Sequence, residues 1–167
     1  MKKLSIALVL AIAISASASA QKFGHFNSAQ VVQAMPEYTA AQTELQNLEK
    51  SYTDEMKKMQ EEIETKGQAY EKEAEKLPDA VKQRREQELQ DLYQRYQQYV
   101  QSSDADLQKA RQTKLAEISE KIGKAVKEVG TAGGYVYIMD ITGGIPYISE
   151  TLSTDLTDEI KAKLGLK

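Results

Sequence analysis

From Glu37 onward, apolar residues recur at Tyr38, Ala41, Leu45, Leu48, Tyr52, Met56, Met59, Ile63, Tyr70, Ala74 and Leu77, mostly in steps of three, four or seven. Such spacing lays one narrow stripe along a helix. The predicted helix, Glu37 to Lys76, is about 60 Å long at 1.5 Å per residue, and so narrow a stripe needs a partner. "KLPDAV" interrupts the pattern, because Pro78 disfavours helix at Leu77 and Asp79 suits a helix cap. The stripe resumes at Val81, Leu89, Leu92, Tyr96, Tyr99, Leu107, Ala110, Ile118, Ile122, Ala125 and Val129, and stops at Gly130, a residue suited to a helix end. Two such stripes joined by a tight break predict an antiparallel helical hairpin over 37–130, with its tip near 77–79.

The ends of the chain are patterned differently. "KFGHFN" reads as a short strand, with Asn27 or Ser28 as N-cap of a brief helix, Ala29 to Met35, and Pro36 at the first position of the long helix. On the far side, "GGYVYIMDITGGIPYISE" predicts a strand from Tyr135 to Thr142, a two-residue turn at Gly143-Gly144 and a second strand from Ile145 to Ser149. Pro146 would hold that second strand at an edge. A final helix follows, with Asp155 as its N-cap and Gly165 as its stop. An antiparallel arm returns Gly130 to Glu37, so the strand at Phe23 to Phe26 meets the one from Tyr135. A small sheet of this kind buries itself poorly. Association through it is the economical inference, with Phe23, Phe26, Tyr135, Tyr137, Met139, Ile141, Ile145 and Tyr147 as the oligomerisation residues. Tyr135, Tyr137, Met139 and Ile141 are expected on one face. The fold class is α+β: a long coiled-coil hairpin rooted in a small β body.

Residues 1–20 stand apart. Lys2 and Lys3 precede an apolar stretch from Leu4 to Ile14 and an Ala18-Ser19-Ala20 cleavage signature, which together make a signal peptide. The stretch is too short for a membrane anchor, which needs about 20 apolar residues. The mature chain is expected to begin at Gln21, to form one domain over 21–167, and to work outside the cytoplasm. Loss of Lys2 and Lys3 takes the net charge from −3 to −5, an acidity that argues against nucleic acid as a partner. With no cysteine in the sequence, disulfides, thiol catalysis and a lipidated N-terminus are excluded.

Candidate chemistry is sparse. His25 is the only histidine and reads as a hydrogen-bonded strand residue. Glu61, Glu62, Glu86 and Glu88 fall on solvated helix faces, without the pocket a catalytic carboxylate needs. "DITGG" is a turn, since no phosphate-loop pattern precedes a helix. No catalytic residue, cofactor or metal site is expected. Tyr96 and Tyr99 fit the helical seam while Tyr93 points elsewhere, and Lys82, Arg84 and Arg85 make a basic tip. These six residues are where contact with a client or a membrane surface would fall.

A secretion signal, "FGHFNSAQVVQAMPEY", a long charged helical hairpin, and "YVYIMD" followed by "STDLTDEIKAKL" together resemble the OmpH/Skp family of periplasmic chaperones, over essentially the whole mature chain. The resemblance implies a homotrimer whose strands and short helices build a shared β body. Three tentacle-like arms would project from it around a cavity. It further implies a holdase that shelters unfolded outer-membrane β-barrel proteins in the periplasm without ATP. The best-studied members are strongly basic and this chain is acidic, so lipopolysaccharide or anionic-membrane binding does not carry over with the resemblance. The alternative is a structural or adaptor coiled coil of the envelope. Such adaptors flank their hairpin with substantial β domains, whereas here only about 15 residues precede the hairpin and about 37 follow it.

Overall fold

The computed structural model describes residues 21–166, so the expected signal peptide lies outside the described residues. In chain order the elements are β1 (Lys22–Phe26), α1 (Ser28–Ala34), α2 (Pro36–Glu73), α3 (Asp79–Gly133), β2 (Tyr135–Asp140), β3 (Ser153–Asp155) and α4 (Thr157–Lys163). The chain divides into two compact units, one of residues 36–119 and one joining the residues before Pro36 to those from Glu120 onward.

The first unit is a pair of long helices. Pro36 opens α2, where its missing N–H leaves no bond unmade. The α-helix ends at Glu73, three residues earlier than the periodicity predicts, because Ala74 to Lys76 tighten into a 3-10 turn that closes on Leu77. Asp79 is the first residue of α3, and the Pro78 carbonyl accepts from the Val81 N–H at 2.8 Å and the Lys82 N–H at 3.0 Å. The two helices run antiparallel, because residues early in α2 meet residues late in α3. Glu44 pairs with Lys114 at 2.5 Å, Gln60 donates to the Tyr96 hydroxyl at 2.6 Å, and Tyr70 donates to Glu86. The predicted seam is the buried one. Ala41 and Ile63 of α2, and Leu92 and Ile118 of α3, are shielded from solvent, and every other stripe residue in this unit is at least half-covered. Ser103 is also buried in this seam.

The second unit holds a three-stranded sheet in the order β2-β1-β3, with both neighbours parallel to β1. Phe23 lies beside Tyr137 and Ser153, and His25 beside Met139 and Asp155. Here the structure corrects the sequence reading. Residues 145–149 are not a strand, Gly143-Gly144 is not a hairpin turn, and Pro146 does not mark a sheet edge. After Asp140 the chain enters a 3-10 turn, Ile141–Gly143. The Asp140 carboxylate fixes it by accepting from the Thr142 N–H at 3.1 Å and from the Ser28 N–H at 3.2 Å. Residues 144–152 then cross over to deliver Ser153–Asp155 to the free edge of β1. α3 also runs past Gly130 to Gly133, and it is Gly134, with φ 69°, that adopts the left-handed conformation and ends it.

The short helices close one face of the sheet. Asn27 caps α1 by accepting from the Gln30 N–H at 3.0 Å, as its position before "SAQ" predicts. Leu156, and not Asp155, occupies the N-cap position of α4. The Asp155 carboxylate still accepts from the Thr157 N–H at 2.9 Å, so it orders the helix start from one residue further out. α1 packs against α4, and Val31, Met35, Leu156 and Ile160 are almost wholly buried. Ile122, Ala125 and Val129 from the end of α3 join this core. Gly24 sits where a side chain would not fit, since an added Cβ would lie 2.5 Å from Leu156 Cδ1. That close approach lets α4 lie down on β1.

Candidate functional site

The two faces of the sheet differ in kind. Gly24, Phe26 and Ile138 turn toward the short helices, and Phe26 is 7% exposed. Phe23, His25, Tyr137 and Met139 turn the other way, toward the crossover loop. Phe23 and Tyr137 stack at 4.9 Å between ring centres. Ile145, Tyr147, Ile148 and Leu152 of the crossover wall a cleft over this face. The face is nonetheless open: Tyr137 is 49% exposed, Met139 46%, Tyr147 78% and Leu152 74%. A contiguous apolar surface of this kind on a small unit is a marker of interaction.

The predicted oligomerisation residues therefore divide. Phe23, Tyr137, Met139, Ile145 and Tyr147 are brought together on the open face. Phe26 is in the core, because side chains alternate along a strand and its neighbour His25 takes the outer side. Tyr135 also leaves the set. The pairing of β1 with β2 slips by one residue between Lys22 and Phe23, which makes Val136 the bulged residue and turns the Tyr135 ring toward Gly24. Tyr135, Tyr137, Met139 and Ile141 thus do not share one face, and Ile141 lies in the 3-10 turn. Two exposed residues escape the sequence reading, Val136 (58%) and Leu152. A strand boundary drawn at Ser149 hides Leu152, and no pattern in the sequence marks the bulge.

His25 is held within the sheet, its Nδ1 2.8 Å from Ser153 Oγ. Neighbouring Asp155 is pushed up by burial, but hydrogen bonds from the Thr157 hydroxyl and N–H outweigh this, and the carboxyl lies below its ordinary value. Asp140 behaves alike, with bonds from Ser28 and Thr142 overcoming burial. Both carboxylates serve as acceptors that fix loop and helix ends. Among the described residues no group of three or more His, Cys, Asp or Glu side chains could hold a metal ion.

In the helical pair the three tyrosines separate as their spacing predicts. Tyr96 accepts from Gln60, Tyr99 meets the edge of Tyr52 at 6.1 Å, and Tyr93 is 54% exposed. Burial, reinforced by the Asp106 carboxylate, holds the Tyr52 hydroxyl above its usual range. At the tip, Arg85 donates to Glu88 at 3.2 Å, and Glu88 also accepts from Lys66 of α2. The bond from Lys66 holds the Glu88 carboxyl below its usual range, and the same bond raises the Lys66 ammonium. Arg84 is exposed and Lys82 half-covered. Arg84 lines a hollow with Lys66, Glu88, Asp91 and Arg95, so side chains of both signs meet beside it. The sequence reading also passes over Leu115, which is 51% exposed beside the seam. Its only signal is an apolar residue three positions before Ile118, off the main stripe.

A small three-stranded sheet with one packed and one open face, joined in sequence to a long antiparallel helical pair, defines an α+β protein built on a helical hairpin. The chain belongs to the OmpH family, described as outer membrane protein (OmpH-like), whose model matches residues 22–164. The fold is also similar to the crystal structure of an OmpH-like protein from Caulobacter crescentus CB15, proposed to be an outer membrane chaperone. The TM-score is 0.74 at 14% sequence identity, over 86% of this chain and 83% of that one. Comparison with curated proteins finds no match.

Proposed function

We propose that this chain is an ATP-independent holdase of the periplasm that binds unfolded outer-membrane proteins and prevents their aggregation in transit. Three copies join through the open sheet face, and their helical arms enclose the client. The observation that carries this reading is the open face itself: Tyr137, Met139, Tyr147 and Leu152 stay exposed while Phe26 on the opposite face is buried. An apolar surface of this extent is stable in water when another copy covers it. Membership of the OmpH family supports the same reading, since an OmpH-like relative is proposed to be an outer membrane chaperone. Among the described residues no helix is long and apolar enough to cross a membrane. The interleaved acids and bases of the arms favour capture by many weak apolar contacts over long-range attraction.

The test is dilution of a urea-unfolded β-barrel protein into buffer with and without the chain beginning at Gln21, in the absence of nucleotide. Turbidity held near baseline at a threefold molar excess of chain is the expected result. Aggregation at the rate of the client alone overturns the reading.

A further inference from the structure

The cleft over the open sheet face is lined by His25, the only histidine of the chain. Among the described residues that line the cleft beside it, Phe23, Met139, Ile145 and Leu152 included, no other carries a charge near neutral pH. We propose that His25 makes assembly through this face pH-sensitive: copies join while the imidazole is neutral and part when it takes up a second proton. The proposal rests on the reading of the open face as the surface that joins copies, and adds a means of control to it.

Side chains alternate along β1, so Phe23 and His25 share the open side while Phe26 is buried on the other. His25 is half-covered in the single chain, and another copy seated on Phe23, Tyr137 and Met139 closes the ring off from water. Histidine is the residue type whose charge changes between about pH 5 and pH 8. Taking a charged ring out of water is costly unless a group of opposite sign lies against it. The groups that face His25 supply little of that. From β2 come Met139, in register with it, and the Tyr137 phenol; from the crossover, the Tyr147 phenol; from β3, Ser153 and Asp155. The ring's Nδ1 lies 2.8 Å from the Ser153 hydroxyl, a neutral partner. Asp155 is the one carboxylate, and α4 holds it: it accepts from the Thr157 N–H at 2.9 Å and from the Thr157 hydroxyl at 2.6 Å, with Lys161 adding a positive charge nearby. It attracts an imidazolium in the single chain as well as in the assembly, so it does not by itself favour assembly of the charged form. The single chain therefore holds the proton more tightly than the assembly, and association weakens as pH falls. Three imidazoles that must stay neutral lower the association constant by up to about tenfold each, or about 10³ together, per pH unit on the acid side.

Sedimentation equilibrium of the chain beginning at Gln21, at about pH 7.5 and about pH 5.5, tests this beside the variant His25→Gln, whose amide can still bond Ser153 and cannot take the charge. Circular dichroism at both pH values checks that the helices persist. An association constant at least about 100-fold lower at the acid pH is expected for the unmodified chain, against a change of less than about threefold in His25→Gln whatever its strength at the higher pH. A single histidine also gives a single imidazole C–H signal in proton NMR, and its titration midpoint should lie lower in the assembled chain than in a Leu152→Ser variant diluted until monomeric. Association that holds within about threefold in the unmodified chain, or falls equally in His25→Gln, overturns the switch and leaves the assembly face standing. If His25→Gln assembles at neither pH, equal imidazole midpoints in the assembled and monomeric chains overturn it. An unmodified chain that is monomeric at both pH values rejects the assembly reading and the switch with it.

Discussion

Replacing Leu152 by Ser probes whether the open sheet face is an assembly surface. In the single chain Leu152 is 74% exposed, so the change takes little from the chain's own packing. Fully burying a leucine is worth about 1.5–3 kcal/mol, and roughly three quarters of that is still available when another copy covers it, or about 1–2 kcal/mol per copy. In a closed trimer the loss repeats in each copy, about 3–6 kcal/mol in all, which lowers the association constant by a factor of about 10²–10⁴. Sedimentation equilibrium over a concentration series reads this directly, with circular dichroism as the check that the helices persist. Tyr147→Ser, at 78% exposure, should behave alike. If both variants associate within a factor of three of the unmodified chain, the face is not the assembly surface and the argument from its exposure fails.

Gly24→Ala should destabilise the chain by about 1–3 kcal/mol in urea unfolding, because the new methyl would sit 2.5 Å from Leu156 Cδ1 and 3.3 Å from both Ile138 and Tyr135. Asp140 and Asp155 are both depressed below the ordinary 3.8. The stability they contribute is therefore present above that value and is lost as pH falls below it through their depressed folded values, so the urea midpoint should drop on acidification past that point and drop less in Asp155→Asn. With charges interleaved along both helices, capture of an acidic unfolded barrel protein should slow by less than about threefold between 0.01 M and 0.15 M salt, where the Debye length falls from about 30 Å to about 8 Å. A steep salt dependence that vanishes when Lys82, Arg84 and Arg85 are changed to Gln would show instead that the tip steers clients.

Much of the helical architecture is legible in the sequence, and the reason is local. A stripe such as Leu45, Leu48, Tyr52 has no stable burial except against a second stripe, Pro78 forbids continuous helix, and Asn27 offers its carbonyl oxygen at the one place a cap is needed. The sheet is less legible because its edges are set by tertiary contact. "STD" has none of the β-branched, alternating character of a strand, yet it pairs with β1, and the Leu156 N–H is taken by the His25 carbonyl at 2.8 Å. "IPYIS" has that character and is not a strand, and its Ile145, Tyr147 and Ile148 wall the cleft over the open face as a loop. Gly130 and Gly134 are both plausible helix ends by sequence. Gly130 lies against Ile138, where an added Cβ would be 3.2 Å from Cδ1, so that glycine answers a packing demand and Gly134 a conformational one. The one-residue slip beside Val136 moves Tyr135 off the open face, and no periodicity records a slip before the strands are paired.

The holdase reading is tested most directly by the mass of the complex that forms when the chain beginning at Gln21 is mixed with a urea-unfolded β-barrel protein and passed, without nucleotide, through a sizing column with light scattering. Three copies of the chain with one client in a single monodisperse peak is the predicted result. A chain that elutes alone as a monomer, with the client lost as aggregate, would contradict it.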